Sequence, residues 1–159
     1  MKHTISVLVE NKSGVLARIS GLFSARGYNI DSLAVGPTED PDTSRMTIVV
    51  GGDEDVLEQV TKQLNKLPDT ISVKDFLSAE FVERDLMLIR AKASKKERPE
   101  IMEIAGIFRA KVVDVAQDSV MIEVTGSESK IEAFIELMMP YGIKEMARTG
   151  IIALERGGK

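Results

Sequence analysis

The chain has 159 residues, a net charge of −4 from 21 basic and 25 acidic side chains, and no cysteine. Disulfides, thiolate metal sites and cysteine nucleophiles are thereby excluded, and the interspersed charges form no basic stripe of the kind a phosphate backbone requires. No apolar run approaches the ~20 residues of a membrane span, and the opening MKHTISVLVEN meets a polar turn before any signal-peptide core is long enough. These features predict a soluble cytoplasmic protein that binds neither nucleic acid nor membrane. A chain of this length buries roughly 70% of its extended surface on folding, so a core is available without staples.

In chain order, His3, Ile5, Val7 and Val9 alternate with Thr4, Ser6 and Leu8, which predicts a half-buried strand. Asn11 to Gly14 make a turn in which Ser13 is placed to cap a helix. Val15, Leu16, Ile19, Leu22 and Phe23 recur at helical spacing up to Ala25, and Gly27 ends the helix. Tyr28 to Val35 is a second strand, GPTEDPDTS a polar loop, and Arg45 to Val50 a third strand. Asp53 opens a second helix with Val56, Leu57, Val60 and Leu64 facing inward, which Pro68 and Asp69 stop. Thr70 to Leu77 is a fourth strand.

The same order then repeats. Phe81 to Ala93 is a long strand; Ser94 and Glu97 form a capping box, with Pro99 in the first helical turn. Ile101, Ile104, Ala105 and Phe108 face inward. Lys111 to Val115 and Val120 to Thr125 make a hairpin. Thr125 and Glu128 read as another capping box before the stripe Ile131, Phe134, Ile135 and Met138, which Pro140 ends. Gly142 to Leu154 closes the unit, and the tail Arg156 to Lys159 is expected to fray. Two βαββαβ units predict an α+β chain of two ferredoxin-like domains, 1–78 and 79–159, each an antiparallel four-stranded sheet backed by two helices.

That fold hosts many functions, so function has to come from a site. An RNA-recognition module stacks bases on aromatic side chains of its central strands, and HTISVLVE and SRMTIVV contain none. A metallochaperone would need paired thiols. An acyl-phosphate hydrolase would want an arginine in the first loop, where the sequence is ENKSG. The single histidine, His3, reads as an ordinary strand residue, and no catalytic or metal-binding set stands out. The segment ENKSGVLARISGLF supports a ligand-binding module instead. A helix N-terminus offers free N–H groups and partial positive charge, which suit a carboxylate. Gly14 would allow close approach of a ligand to the backbone, and the Asn11 amide could bond an ammonium or a carboxylate. From spacing alone, plain turn chemistry is the stronger account of both residues, and more so for Asn11 than for Gly14.

The N-terminal half resembles an ACT domain, a small-molecule sensor found on many amino-acid enzymes. The stretches SVLVENKSGVLARISGLFSARGYNIDSLAVGPTEDPDTSRMTIVV, VLEQVTKQLNKL, VERDLMLI, IFRAKVVDV and ARTGIIALERG resemble the small regulatory subunit of acetohydroxyacid synthase. The resemblance implies a non-catalytic subunit that activates a large catalytic subunit and confers feedback inhibition by valine or another branched-chain amino acid. It implies thiamine diphosphate, FAD and magnesium on that large subunit, and no cofactor on this chain. It also implies a homodimer through the ACT domain with the effector between subunits. Asn11, Ser13, Gly14, Val15 and Leu16 would come from one chain and Asn29 and Ile30 from its partner. Lys12 departs from the acidic or polar residue the family pattern suggests there, and is expected to point to solvent.

Overall fold

The computed structural model describes residues 1–157. Its first set of elements is β1 (Lys2–Glu10), α1 (Val15–Ala25), β2 (Ile30–Pro37), β3 (Thr43–Gly51), α2 (Glu54–Asn65) and β4 (Thr70–Asp75). The second is β5 (Phe81–Lys92), α3 (Arg98–Ile107), β6 (Lys111–Val115), β7 (Ser119–Gly126), α4 (Glu128–Met138) and β8 (Ile143–Arg148), followed by β9 (Ile152–Glu155). The strand orders are β2-β3-β1-β4 and β6-β7-β5-β8, antiparallel throughout, so the chain is α+β with two ferredoxin-like units. One compact unit holds Met1–Val82 together with the described residues from Ile151 onward; the other is Glu83–Gly150. The division at 78/79 expected from the sequence differs from this in two ways. The start of β5 and the whole of β9 group with the first unit.

In the first unit β1 pairs with β3 from Lys2 opposite Gly51 to Glu10 opposite Thr43. Ile5, Val7 and Val9 of β1 and Met46, Ile48 and Val50 of β3 form the core face. Helix α1 covers it with Val15, Ile19 and Phe23, spaced i, i+4, i+8, and α2 with Leu57, Val60 and Leu64. Each such large apolar side chain contributes about 1.5–3 kcal/mol when fully buried. The strand read as half-buried is in fact enclosed on both faces. Ser6, Thr47 and Val49 on the opposite face are also buried, as are Phe76, Ile151 and Ala153. β9 packs against β1, with Arg156 N donating to Glu80 O at 2.8 Å and an ion pair between Lys74 and Glu155. Buried Ser6 accepts a 2.7 Å hydrogen bond from Arg45 Nη1. The rest of the tail expected to fray, Gly158 and Lys159, lies outside the described residues.

In the second unit Met87, Ile89 and Ala91 of β5 and Val120, Ile122 and Val124 of β7 face Ile101 and Ala105 of α3 and Ile131, Phe134 and Met138 of α4. The Ser94–Glu97 box forms, with Glu97 N donating to Ser94 Oγ at 3.3 Å and Ser94 N to Glu97 Oε1 at 3.2 Å. The box expected at Thr125 does not form. Thr125 is still paired in β7 opposite Leu86, and Ser127 caps α4 by accepting from Lys130 N at 3.4 Å. The closing segment Gly142 to Leu154 holds two strands, β8 and the start of β9. Gly150 adopts φ 85° and the ladder breaks between β8 and β9. Beside the break, Asp85 is 1% exposed and accepts from Arg148 Nη2 at 2.7 Å and Nε at 3.1 Å. β4 stops at Asp75, whose carboxylate accepts from Leu77 N at 3.2 Å and turns the chain two residues earlier than expected.

Candidate functional site

The turn Asn11–Gly14 leads from the end of β1 into α1, and all four of its residues are exposed. The expectation that Ser13 caps the helix is overturned. The cap position is Gly14, in the left-handed region at φ 88°, ψ −15°, with no side-chain hydrogen bond. An L-residue resists that conformation because its Cβ crowds the following carbonyl, so glycine is needed here. The first intrahelical bond runs from Arg18 N to Gly14 O at 3.0 Å. The N–H groups of Val15, Leu16 and Ala17 therefore precede the hydrogen-bonded ladder. No acidic residue lies in the first turn of α1, whereas α2 carries Glu54 and Asp55 there beside its Asp53 cap.

The turn is tied down from both sides. Asn11 N donates to Asp42 O at 2.7 Å and Asn11 Nδ2 to Pro41 O at 2.9 Å. Among the described residues no donor is hydrogen-bonded to Asn11 Oδ1, the acceptor end of the amide. Glu10 N donates to Asp69 O at 2.9 Å. Lys12 is exposed, as expected, and also pairs with Glu10 at 2.8 Å and with Asp69 at 3.1 Å. These bonds, from Glu10 first, raise the Lys12 pKa above its ordinary value. Asp69 is 5% exposed and also accepts from Arg18 Nε at 2.6 Å. The Arg18 hydrogen bond is the main cause that holds its carboxyl below the usual range, with Lys12 adding to it and burial opposing. Neither Arg18 nor Asp69, which the sequence offered only as a helix stop, was read as part of the site. Arg18 had a local signal, since helical side chains lean toward the N-terminus and residue 18 overlies residue 14. Asp69, 51 residues away from Arg18, had none.

Of the remaining site candidates, Val15 is buried in the core and Ile30 packs partly against it, whereas Leu16 is 46% exposed beside the turn. Asn29 is exposed, gives its Nδ2 hydrogen to Asp31 Oδ1 at 2.6 Å, and accepts from Gly51 N through its carbonyl. Within one chain these residues do not meet the turn. Glu10 lies opposite Thr43 and Ile30 opposite Val50, seven residues further along β3, which is roughly 23 Å of strand. β2, which begins at Ile30, is an edge of its sheet. His3 is buried and its Nε2 donates to Gly52 O at 3.1 Å. Among the described residues no cluster of His, Asp and Glu is placed to hold a metal ion, and no helix is long and apolar enough to cross a membrane.

Comparison with known proteins gives this architecture a family. A model described as the AHAS small subunit-like ACT domain matches residues 5–72, and one described as the small subunit of acetolactate synthase matches residues 84–157. The chain is 62% identical over 159 residues to a probable acetolactate synthase small subunit of Archaeoglobus fulgidus, covering 100% of this chain and 99% of that protein. It is 52% identical over 155 residues to the acetolactate synthase small subunit of Mycolicibacterium smegmatis, covering 98% and 91%. The crystal structure of the acetolactate synthase small subunit from Thermotoga maritima matches with a TM-score of 0.90 at 40% identity, over 100% of this chain and 99% of that one. The first of the two ferredoxin-like units is thus an ACT domain. The chain belongs to the family of acetolactate synthase small subunits.

Proposed function

We propose that this chain is the non-catalytic regulatory subunit of a cytoplasmic acetolactate synthase, that it activates a large catalytic subunit, and that valine bound to it inhibits the assembled enzyme. The observation that carries the reading is the first turn of α1: exposed, held by Asn11, Lys12 and Asp69, and uncapped at Gly14. The effector's carboxylate sits against the N–H groups of that turn, and Asn11 Oδ1 accepts from its ammonium. Val15 and Leu16 wall the branched side chain. The site is completed by a second copy. Antiparallel pairing of two β2 edges sets the start of one β2 against the end of the other, the end at which the β1–α1 turn lies. Asn29 and Ile30 of the partner subunit then reach the site that the chain's own Asn29 and Ile30 cannot. Edge pairing also removes the unpaired strand edge that each sheet otherwise exposes.

In this mechanism the regulatory dimer favours an active arrangement of the catalytic subunits, and valine favours a less active one. The coupling free energy for such a shift is typically about 1–3 kcal/mol. Thiamine diphosphate, FAD and magnesium belong to the catalytic subunit, and this chain carries no cofactor. The test is acetolactate formation from pyruvate by the purified catalytic subunit with those cofactors, with and without this chain and with and without valine. Activation by the chain and inhibition by valine only when the chain is present are expected. Turnover by this chain alone, or valine inhibition that persists without it, would refute the reading.

A further inference from the structure

The chain passes between its two units at two places, Val82/Glu83 and Gly150/Ile151. One buried carboxylate, Asp85, stands near both. It accepts from Arg148 Nη2 at 2.7 Å and from Nε at 3.1 Å. The Thr149 hydroxyl lies 3.3 Å from Asp85 Oδ1 and accepts from Leu86 N at 3.1 Å, while Thr149 N donates to Leu86 O at 3.0 Å. Arg148 Nη1 donates to Glu132 of α4 at 2.9 Å. Directly after this cluster Gly150, at φ 85°, turns the chain out of β8 and toward β9. Both β8 and β9 pair with the same strand, β5. A well-packed apolar pair would stabilise a fold about as well as a buried ion pair, whose best attested use is to fix a register.

Beyond the break, β9 has little of its own to hold it. Ala153 and the preceding Ile151 are buried, but Ile152 and Leu154 are 57% and 59% exposed. The Lys74–Glu155 pair is about half exposed, and such pairs contribute little. Yet β9 packs against β1, and β1 ends at Glu10, where the Asn11–Gly14 turn begins. A short strand with so little buried apolar surface belongs to the low-stability part of a fold and opens locally. It has two arrangements, seated and released.

We propose that β9 is a strap seated on β1 by a latch of Asp85 and Arg148, and that its seating couples the effector turn to control of the catalytic subunit. The second part rests on the effector site proposed above; the first does not. Coupling requires an element with two arrangements that both sites bias. The effector turn acts on the strap through β1, on which it lies. The second unit acts on it through the latch, which joins β5, β8 and α4 just before the break. Asp85 is a positioning residue: it fixes where β8 ends, and so where β9 begins.

The experiment is amide hydrogen exchange of the full-length chain, read over residues 152–156 and, as a control in the first core, over residues 57–64 of α2. In Asp85→Asn, exchange over 152–156 should rise by about tenfold or more while 57–64 keeps its wild-type rate. A residue that merely stabilised the fold would speed both segments together. Asp85→Asn leaves Arg148 without its counter-charge, so the double variant Asp85→Leu with Arg148→Met, which removes both charges, is measured beside it and decides if the single variant does not fold. Exchange over 152–156 within about twofold of wild type, or a rise shared equally by 57–64, overturns the latch. The same variant is then titrated with L-valine by calorimetry and assayed with the catalytic subunit. It should bind valine within about threefold of wild type yet keep less than roughly half of the valine inhibition. Full inhibition with β9 released, or loss of valine binding, overturns the coupling. A wild-type chain that binds no valine overturns the effector reading and the coupling together, whereas the exchange result decides the latch alone.

Discussion

Helices α1 and α3 hold the same place in two units of identical strand order, yet their first turns are built in opposite ways. Before α3, Ser94 and Glu97 bond reciprocally and Pro99 occupies a position where a missing N–H costs nothing. At the start of α1 there is a left-handed glycine, no side-chain cap and no acidic residue in the first turn; Lys12 and Arg18 share the nearly buried carboxylate of Asp69, and Glu10 also pairs with Lys12. The second unit closes the turn that leads into α3 with its own side chains, although the Glu97 cap position itself carries no side-chain cap hydrogen bond. The first unit leaves the N–H groups of Val15, Leu16 and Ala17 without a side-chain cap, and the proposed effector site uses that difference.

Core truncation offers the coarsest way to break this comparison. Phe23→Ala in the first core and Phe134→Ala in the second each remove a fully buried ring and should each cost about 3–5 kcal/mol in urea unfolding. Only Phe23→Ala, on the inner face of α1, should also weaken valine in calorimetry. Equal loss of binding in the folded fraction of Phe134→Ala would show that the second unit shares the site. Next come two glycines. Gly14→Ala forces a side chain to φ 88° beside Arg18 and should cost about 1–2 kcal/mol. Gly106→Ala, in α3 with nothing within 4 Å of the new Cβ, should raise stability by about 0.5–1 kcal/mol. Denaturation midpoints that move in the same direction would refute this contrast. Because the strain at residue 14 accompanies any side chain, loss of valine inhibition in an Asp variant there reports charge only when compared with Gly14→Ala.

A smaller effect follows from the box. Ser94→Ala should lower stability by roughly 1 kcal/mol, read as a shifted thermal midpoint, with valine affinity unchanged; altered affinity would place α3's first turn in the effector response. The smallest concerns pH. Asp69 has its pKa lowered chiefly by Arg18, and Asp118 in the second unit chiefly by Lys144. A carboxylate whose folded pKa is depressed stabilises fully above its unfolded value, about 3.9, and loses that contribution as pH falls through the folded value. Urea midpoints should therefore hold from pH 7 to 5 on this account and fall below about pH 4. Asp69→Asn should flatten that acid limb, and an unchanged limb would show that Asp69 contributes nothing to it.

Local periodicity made both sets of βαββαβ elements legible, because the periods of 2 and 3.6 are written in consecutive residues. The Ser94 box was readable for the same reason. The misassigned caps, at Ser13 and Thr125, share one cause. A residue caps only if the backbone leaves strand or turn geometry there, and Thr125 stays in the β7 ladder while the chain at Gly14 turns left-handed. At the candidate site, Asn11 and Gly14 were visible as a turn opening a helix. The hydrogen bonds of Asn11 to Pro41 and Asp42 were not, because they depend on the β2–β3 loop folding back beside the end of β1.

The sequence by itself determined the class of fold, the repeated order of elements, and the position of a helix N-terminus without an acidic first turn, since all of these are set by neighbours along the chain. Tertiary structure alone decided three things. It brought Asp69 under Arg18 and Lys12, it returned β9 to the first unit so that β1 is enclosed on both faces, and it parted Asn29 and Ile30 from the turn by most of a strand's length. Each of these depends on strand order and register. Those arise when distant segments bury apolar faces together, and no window of consecutive residues encodes them.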